Sequence, residues 1–600
     1  MMHVSSWVRL LGTLALILHA SALFAQVTAP APTPAPAPGP TPGPTPGPTP
    51  GPTQPRTVAA LRLEPGESIT LDGAFDEAVW RRAEPARDFI QVDPQNGQPA
   101  TEATEVRIVF TADAIYLGVT ATDSEPEKFL GYQRRRDEFL GSDDRFMWTI
   151  DTFLDARSGY FFEMNPSGLM ADALMSVNGN NRQWDGIWNA RARHTPTGWN
   201  LEIEIPFRTL NFNPNSDTWG INFQRTVRRK NEDSVWMGWA RNQGLQRMTN
   251  AGRVTGITNV TQGHGLDIKP YALGTAEAAP ARRQSTTLDG AVGVDLFYSL
   301  TPLLRTNFTL NTDFAQTEVD QRQVNLTRFS LFFPEKRDFF LDGATFFDFG
   351  SPTNGDLLVN PFFSRRIGLG ADASPQKIDF GTKLTGQFGG QDVGVLHVQT
   401  GDDDGLIGEA FTAARVKRRV LRQSYVGAMY TRRDARGSGP GVVADARHTA
   451  GLDLRLATNR FLGSQNLSFT GWALHATRPD RSSASPGGNG AYGVVLDYPN
   501  DRWSARFDGR EVQRNFDPSV GFVTRRNYRR FQPSVTFAPR PRNSRLVRQY
   551  THNAVLDVQT DLSNDLLVRS LDVQALGVTF QSQDSFNVGG KGDGLGSARV

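Results

Sequence analysis

The 600 residues carry 64 Lys and Arg against 62 Asp and Glu, a formal net charge of +2. No dense basic stripe offsets that balance, which argues against nucleic acid as a partner. The chain has no cysteine, so neither disulfides nor a lipidated cysteine hold it. Past the N-terminus no apolar run reaches about 18 residues, which excludes a helical membrane protein but not a barrel, whose alternating strands average to a polar composition.

In chain order, Arg9, the apolar run Leu10 to Leu18 and the small residues Ala20, Ala22 and Ala25 read as a secretory signal peptide over residues 1–25. Residues 29–55 form a Pro/Gly/Thr tract that cannot bury apolar surface. It is expected to be an extended linker, reaching about 85 Å at about 3.1 Å per residue if fully stiff.

Eight of the eleven tryptophans fall between Trp80 and Trp239, a composition step that marks a domain at 57–262. Short strand candidates run there from Glu105 to Phe110, Ala114 to Ala121, Arg145 to Asp151, Gly159 to Asn165, Gly198 to Pro206, Trp219 to Arg228 and Val235 to Trp239. That spacing predicts an all-β sandwich. In Leu201-Glu202-Ile203-Glu204-Ile205 the period of two puts Glu202 and Glu204 on one face. A carboxylate pair suits glycoside hydrolysis, and a solvated sheet face accounts for the same pattern. Trp184 and Trp188 stand in a polar loop, NGNNRQWDGIWN, where they offer a stacking platform.

Leu71-Asp72-Gly73, Asp76-Glu77 and Trp80, followed by Asp143-Asp144 ahead of a strand ending at Asp151, resemble a family 9 carbohydrate-binding module. The strings DDRFMWTIDTFLDARSGYFFEMNPSG from Asp143 and WNLEIEIPF from Trp199 resemble a narrower group of bacterial outer-membrane proteins of undefined function, which join such a module to a membrane β-barrel. That resemblance implies a sugar held between aromatic rings and bonded by a carboxylate, an arginine and an asparagine. Trp239 matches one aromatic and Asn165 the asparagine, whereas Met147, Glu163 and Gly141 stand where the acid, the arginine and the second aromatic belong. It also implies a structural calcium, for which Asp143, Asp144 and Asp151 are the candidate ligands, although their spacing is not that of an EF-hand and turn capping explains them as well. No other cofactor is expected.

From Leu266 the period of two becomes systematic. Leu304, Thr306, Phe308 and Leu310 alternate with Arg305, Asn307, Thr309 and Asn311. The same split recurs around Val292 to Tyr298, Leu452 to Leu456, Trp503 to Asp508 and Ala554 to Gln559. Gly389-Gly390, Asn500-Asp501 and Asn564-Asp565 punctuate it. About a dozen or more such segments predict an antiparallel transmembrane barrel over 266–600, with short periplasmic turns and the sandwich on the periplasmic side. The chain ends on Gly-Ser-Ala-Arg-Val, without the terminal aromatic of barrel-assembly signals, so either the sequence is incomplete or the barrel closes unusually.

Residues 324–350, VNLTRFSLFFPEKRDFFLDGATFFDFG, fit neither pattern. Paired phenylalanines cannot alternate in and out, and Pro334 and Gly343 interrupt any helix longer than about three turns. The stretch is expected to fold inside the barrel as two short helical turns, Asn325 capping the first, with Glu335, Lys336, Arg337 and Asp338 paired to the polar lumen. NLTRF, FFPEKR and FFLDG carry the same family resemblance. The leading expectation is an outer-membrane protein that binds or passes a glycan-related ligand, in contact with outer-membrane lipid and the cell wall. A glycoside-hydrolysing enzyme using Glu202 and Glu204, and a purely structural envelope tether, are the alternatives.

Overall fold

The computed structural model describes residues 54–176, 179–262, 265–277, 287–301, 303–312, 332–350, 358–369, 376–402, 407–436, 446–477, 488–541 and 544–595. The expected signal peptide, nearly all of the linker, Asn325 and the last five residues lie outside them. The chain is all-β, with helices of only a few residues.

The N-terminal half supplies fourteen strands: β1 (Thr57–Ala59), β2 (Leu61–Arg62), β3 (Ile90–Asp93), β4 (Thr104–Phe110), β5 (Ala114–Thr122), β6 (Arg145–Asp151), β7 (Gly159–Met164), β8 (Met170–Ser176), β9 (Gly179–Asn181), β10 (Asn189–Thr195), β11 (Gly198–Pro206), β12 (Trp219–Val227), β13 (Glu232–Val235) and β14 (Gly252–Thr255). They form two sheets. One runs β1-β14-β12-β6-β7-β8-β9, with β13 and β3 attached, and the other runs β10-β11-β5-β4-β2. Between them lies one apolar core that includes Val106, Leu117, Trp148, Phe162, Trp199, Ile203 and Phe223. Each of these is an inward member of an alternating strand, as a sandwich requires. The strand expected at Val235 to Trp239 is instead Glu232–Val235. From Trp236 the chain leaves the ladder, and Gly238 takes a φ of +72°.

The second half is a fifteen-stranded antiparallel sheet in which sequence neighbours pair throughout. Its strands are β15 (Leu266–Glu277), β16 (Thr287–Thr301), β17 (Leu304–Thr312), then, past a two-residue strand β18 (Val359–Asn360), β19 (Ile378–Phe388), β20 (Gln391–Thr400), β21 (Glu409–Leu421), β22 (Ser424–Ala435), β23 (Arg447–Phe461), β24 (Gln465–Ala476), β25 (Gly490–Pro499) and β26 (Trp503–Val512). A second short strand, β27 (Phe522–Val523), pairs with β18, and β28 (Tyr528–Phe537), β29 (Val547–Thr560), β30 (Leu566–Phe580) and β31 (Ser585–Leu595) complete the sheet. Among the described residues no pairing joins β15 to β31.

The two ends of this sheet differ. At one end the connections 389–390, 422–423, 462–464 and 500–502 are tight, although 538–546 on this end is longer and 561–565 on the other is short. Gly389 and Gly390 both have positive φ, which a side chain would oppose. At the other end the connections 401–408, 436–446, 477–489 and 513–527 are longer, and the longest runs from 313 to 377.

The faces differ too, and in the inverse sense to a soluble protein. In β17, Phe308 and Leu310 are 46% and 53% exposed, while Asn307 and Thr309 between them are 0% and 1% exposed. Leu452 is exposed beside buried Asp453, and Trp503 is exposed in the strand that buries Asp508 and Arg510. The contrast fades toward the last strands. Most of β29 is half-buried on both faces, and Ser585 to Gly592 of β31 is exposed on both.

Candidate ligand-binding and conduit site

Glu202 and Glu204 do not form a solvated pair. Glu202 is fully buried, and its Oε2 accepts the backbone N–H groups of Asp72 and Gly73 at 2.8 and 2.7 Å. Its Oε1 accepts the indole N–H of Trp80 at 3.0 Å. The register explains the fit: Glu202 sits opposite Gly118, and a Cβ there would come within 2.8 Å of the Trp80 ring. Burial raises the Glu202 carboxyl above the usual range. Glu204 lies opposite Tyr116, accepts its hydroxyl at 2.9 Å and reaches Asn189 at 3.3 Å. The pair therefore holds the 71–80 segment and the β10 edge onto the sheet.

Of the expected sugar-site residues, Trp184 and Trp188 both pack on Phe162, at 6.2 and 5.3 Å between centroids, while Trp239 and Asn165 have other partners. Trp239 is 5% exposed, with the Arg56 guanidinium 5.3 Å from its ring centroid. Asn165 is fully buried: its amide donates to Asp143 Oδ2 at 2.9 Å and to the Gln133 carbonyl at 3.0 Å. Its Oδ1 accepts the N–H groups of Ser167 and Leu169. Trp188 is in the core, edge-on to Trp148, and its indole N–H is bonded to Asp172 at 2.8 Å. Burial pushes the Asp172 carboxyl up to about 7, against the pull of the Trp188 bond and the Arg136 guanidinium 2.7 Å away. Of the four, Trp184 alone keeps part of its ring open, resting on Tyr160 at 5.3 Å between centroids. Glu163, at the arginine position of the resembled modules, is held by Arg145 and Arg182.

The three aspartates suggested for calcium are occupied by N–H donors. Asp143 Oδ2 accepts Gln133 N–H and the Asn165 amide, Asp144 accepts Leu130 and Arg228 N–H, and Asp151 accepts Asp155 and Ala156 N–H. Burial raises Asp144 and Asp151, the latter further raised by Asp155. Among the described residues no three acids or histidines gather into a metal cage. These oxygens close turns, and the set does not fit a calcium ion.

Residues 332–350 lie against the polar face of the fifteen-stranded sheet. A four-residue helix α1 (Asp338–Leu341) and a 3₁₀ turn at Ala344–Phe347 follow Pro334. Phe339, Phe340, Phe347 and Phe349 are buried with Leu396, Phe411, Met429 and Trp472 from the strands. Cations on the strands bind backbone carbonyls of the segment. Lys383 donates to the carbonyls of Phe339 and Asp342, Lys417 to that of Thr345 at 2.8 Å, and Arg415 to that of Asp348 at 3.0 Å. Arg415 also grips Asp453 with two nitrogens, at 2.6 and 2.8 Å, and Asp453 in turn accepts Gly350 N–H at 3.0 Å.

Of the charged run, Asp338 reaches the wall at Lys269, 2.8 Å away. Glu335 and Arg337 instead bond each other, and Arg337 donates to the Ser364 and Ile367 carbonyls, while Lys336 gives its backbone N–H to Glu335. The segment is conspicuous in the sequence; its anchors are not. Lys383, Arg415 and Lys417 were readable only as polar members of alternating strands, because nothing local says that a carbonyl waits opposite them.

The sandwich meets the sheet at its tight-turn end. Arg157 pairs with Asp392 at 3.0 Å, Asp93 with Arg548 at 2.9 Å, and Asn242 bonds Asn500 and the Ser464 carbonyl at 3.2 and 2.9 Å.

A family model described as a domain of unknown function (DUF5916) matches residues 264–385, the stretch from β15 into β19 that includes residues 332–350. No curated protein matches the sequence. Among solved structures, a carbohydrate binding module family 9 from Caldicellulosiruptor kristjanssonii in complex with glucose is 13% identical, with a TM-score of 0.25, covering 33% of this chain and 95% of that one. Its complex with cellotriose gives 13%, 0.25, 33% and 92%. Acinetobacter baumannii OccAB2 is 8% identical over 76% of this chain and 92% of that one, with a TM-score of 0.26.

Proposed function

We propose that this chain is an outer-membrane protein, exported by its N-terminal signal, whose fifteen-stranded sheet is the wall of a plugged transmembrane barrel that binds or passes a glycan-related ligand. The observation that carries the reading is the inverted alternation: large apolar side chains are exposed on one face from β15 through β28, while Asn307, Lys383, Arg415, Asp453 and Arg510 are buried on the other. In water such a face would far exceed the few hundred Å² of apolar patch that a soluble monomer tolerates. Lipid against that face and a filled polar interior remove the conflict. Residues 332–350 are then the plug, and the tight-turn end, with the sandwich docked on it, faces the periplasm.

Planar-bilayer recording of the full-length protein tests the conduit. The expected result is small, discrete conductance that grows when residues 334–350 are replaced by a short Gly/Ser linker. Folded, inserted protein that passes no current at any voltage, plugged or unplugged, would remove transport.

A further inference from the structure

Resting on the outer-membrane part of that reading, we infer that the tight-turn end of the sheet is a docking rim for anionic phospholipid, whose headgroup phosphates are taken by exposed arginines. One pairing of neighbours recurs at four connections: Leu421 with Arg422 at the β21–β22 turn, Leu462 with Arg460 at β23–β24, Trp503 with Arg502 at β25–β26, and Leu546 with Arg545 at β28–β29. The apolar and the cationic member are exposed in every case. Neighbouring strands lie about 4.8 Å apart, so successive hairpins set these pairs about 10 Å from one another along the end of the sheet. An arc of that kind follows a membrane surface and does not enclose a small ligand.

Two observations favour headgroup phosphate. First, the Arg502 guanidinium lies 5.5 Å from the centroid of the Phe537 ring, which itself packs on Trp503 at 4.4 Å between centroids. Trp503 and Phe537 are cross-strand partners on the apolar face, so this cation stands at the margin of that face, where a long side chain keeps its stem on hydrocarbon and its charge among headgroups. Second, the arginines of this rim lack counter-charges. Asp501 is taken by Arg540 at 3.4 Å, Asp93 by Arg548 at 2.9 Å, and Asp584 by the Ser582 hydroxyl at 2.7 Å. Among the described residues none of Arg422, Arg460, Arg502 and Arg545 has a carboxylate partner. At the opposite end the exposed Arg432, Arg436 and Arg526 each pair with an aspartate, at 2.5, 3.0 and 3.1 Å, and the 401–408 connection adds Asp402, Asp403 and Asp404. A guanidinium fork matches two phosphate oxygens, and a headgroup without its own ammonium leaves that attraction undiminished.

The test uses full-length protein reconstituted in vesicles of equal phosphatidylglycerol and phosphatidylcholine, extracted in mild detergent and assayed for co-purifying lipid by mass spectrometry. Phosphatidylglycerol is expected to be retained about fivefold or more over phosphatidylcholine, and Arg422→Gln, Arg460→Gln, Arg502→Gln and Arg545→Gln together to remove most of that preference. The four corresponding lysine substitutions should keep it in the main, Arg502→Gln alone should lower it about twofold, and Arg432→Gln with Arg526→Gln should leave it unchanged. Retention by the lysine set separates lost charge from misfolding. Equal retention of the two lipids, a glutamine set that holds as much phosphatidylglycerol as the parent, or an equal loss in the Arg432 and Arg526 pair would overturn the inference. Displacement of the lipid by inorganic phosphate would overturn it too, since the site would then serve a free anion. Flotation with pure phosphatidylcholine vesicles reports separately on insertion: protein that inserts without the lipid preference sinks only the rim, and protein that never floats sinks the outer-membrane reading and the rim with it.

Discussion

Glu202 shows how one side chain can mislead when read by period alone. Alternation correctly put it on the opposite face from Leu201 and Ile203, but a second layer, the 71–80 segment with Trp80, covers that face, and no local pattern announces it. Removing the carboxylate leaves two backbone N–H groups and an indole N–H unmatched, so Glu202→Ala should destabilise the protein by about 2–4 kcal/mol in urea unfolding followed by tryptophan fluorescence. A turnover role would instead predict a stable variant.

Asp172 makes a pH prediction. Its folded pKa, about 7, lies above the usual carboxylate value because burial outweighs its bonds to Trp188 and Arg136. Between the two pKa values the folded state holds a proton that the unfolded state has lost, so this group's contribution falls as pH rises from about 4 to about 7. Asp172→Asn, which keeps an acceptor for the Trp188 indole, should flatten that fall in thermal unfolding measured across the range. An unchanged slope would mean the carboxyl stays ionised.

At the scale of elements, the strands were legible and their partners were not. β6 and β11 begin and end at the residues expected from the sequence. Strands such as β8, buried on both faces, escaped because they do not alternate, and a short apolar run reads equally as helix. Residues 332–350 stood out as an anomaly, since adjacent phenylalanines do not alternate, and Phe339 and Phe340 are buried together. Their attachment depends on pairing across the sheet, as with Arg415, which sits between the Asp348 carbonyl and Asp453 contributed by β23. Arg415→Met leaves Asp453 buried with the Gly350 N–H and no cation, which should cost about 3–5 kcal/mol. The expected sign is earlier loss of structure in urea together with larger conductance fluctuations, as the plug loosens at its Phe349 end. If stability drops and conductance noise does not, Arg415 holds the wall alone.

For the whole molecule, the sequence announced two halves but not that they meet. Arg157, Asp93, Asn242 and Asn250 are unremarkable polar residues at strand ends and connections of the sandwich, yet each bonds a residue at the tight-turn end of the sheet, to Asp392, Arg548, Asn500 and Asn459 respectively. Polar contacts between the ends of separate elements carry no periodicity, so neither half read alone reveals them. On the proposed conduit reading, a ligand coming from the sandwich side meets this seam, which has to yield for anything large. The absence of native cysteine makes this directly testable, because an introduced pair reacts only with itself. The Asn242 and Asn500 amides bond at 3.2 Å, so Asn242→Cys with Asn500→Cys should be bridged by a short bifunctional methanethiosulfonate reagent, a link that reductant reverses. In a plug-deleted background the cross-link is expected to lower conductance at least severalfold, with recovery on adding reductant. Equal conductance in the cross-linked and reduced protein would show that ions bypass the sandwich, leaving it a fixed cap beside the path and not a gate across it.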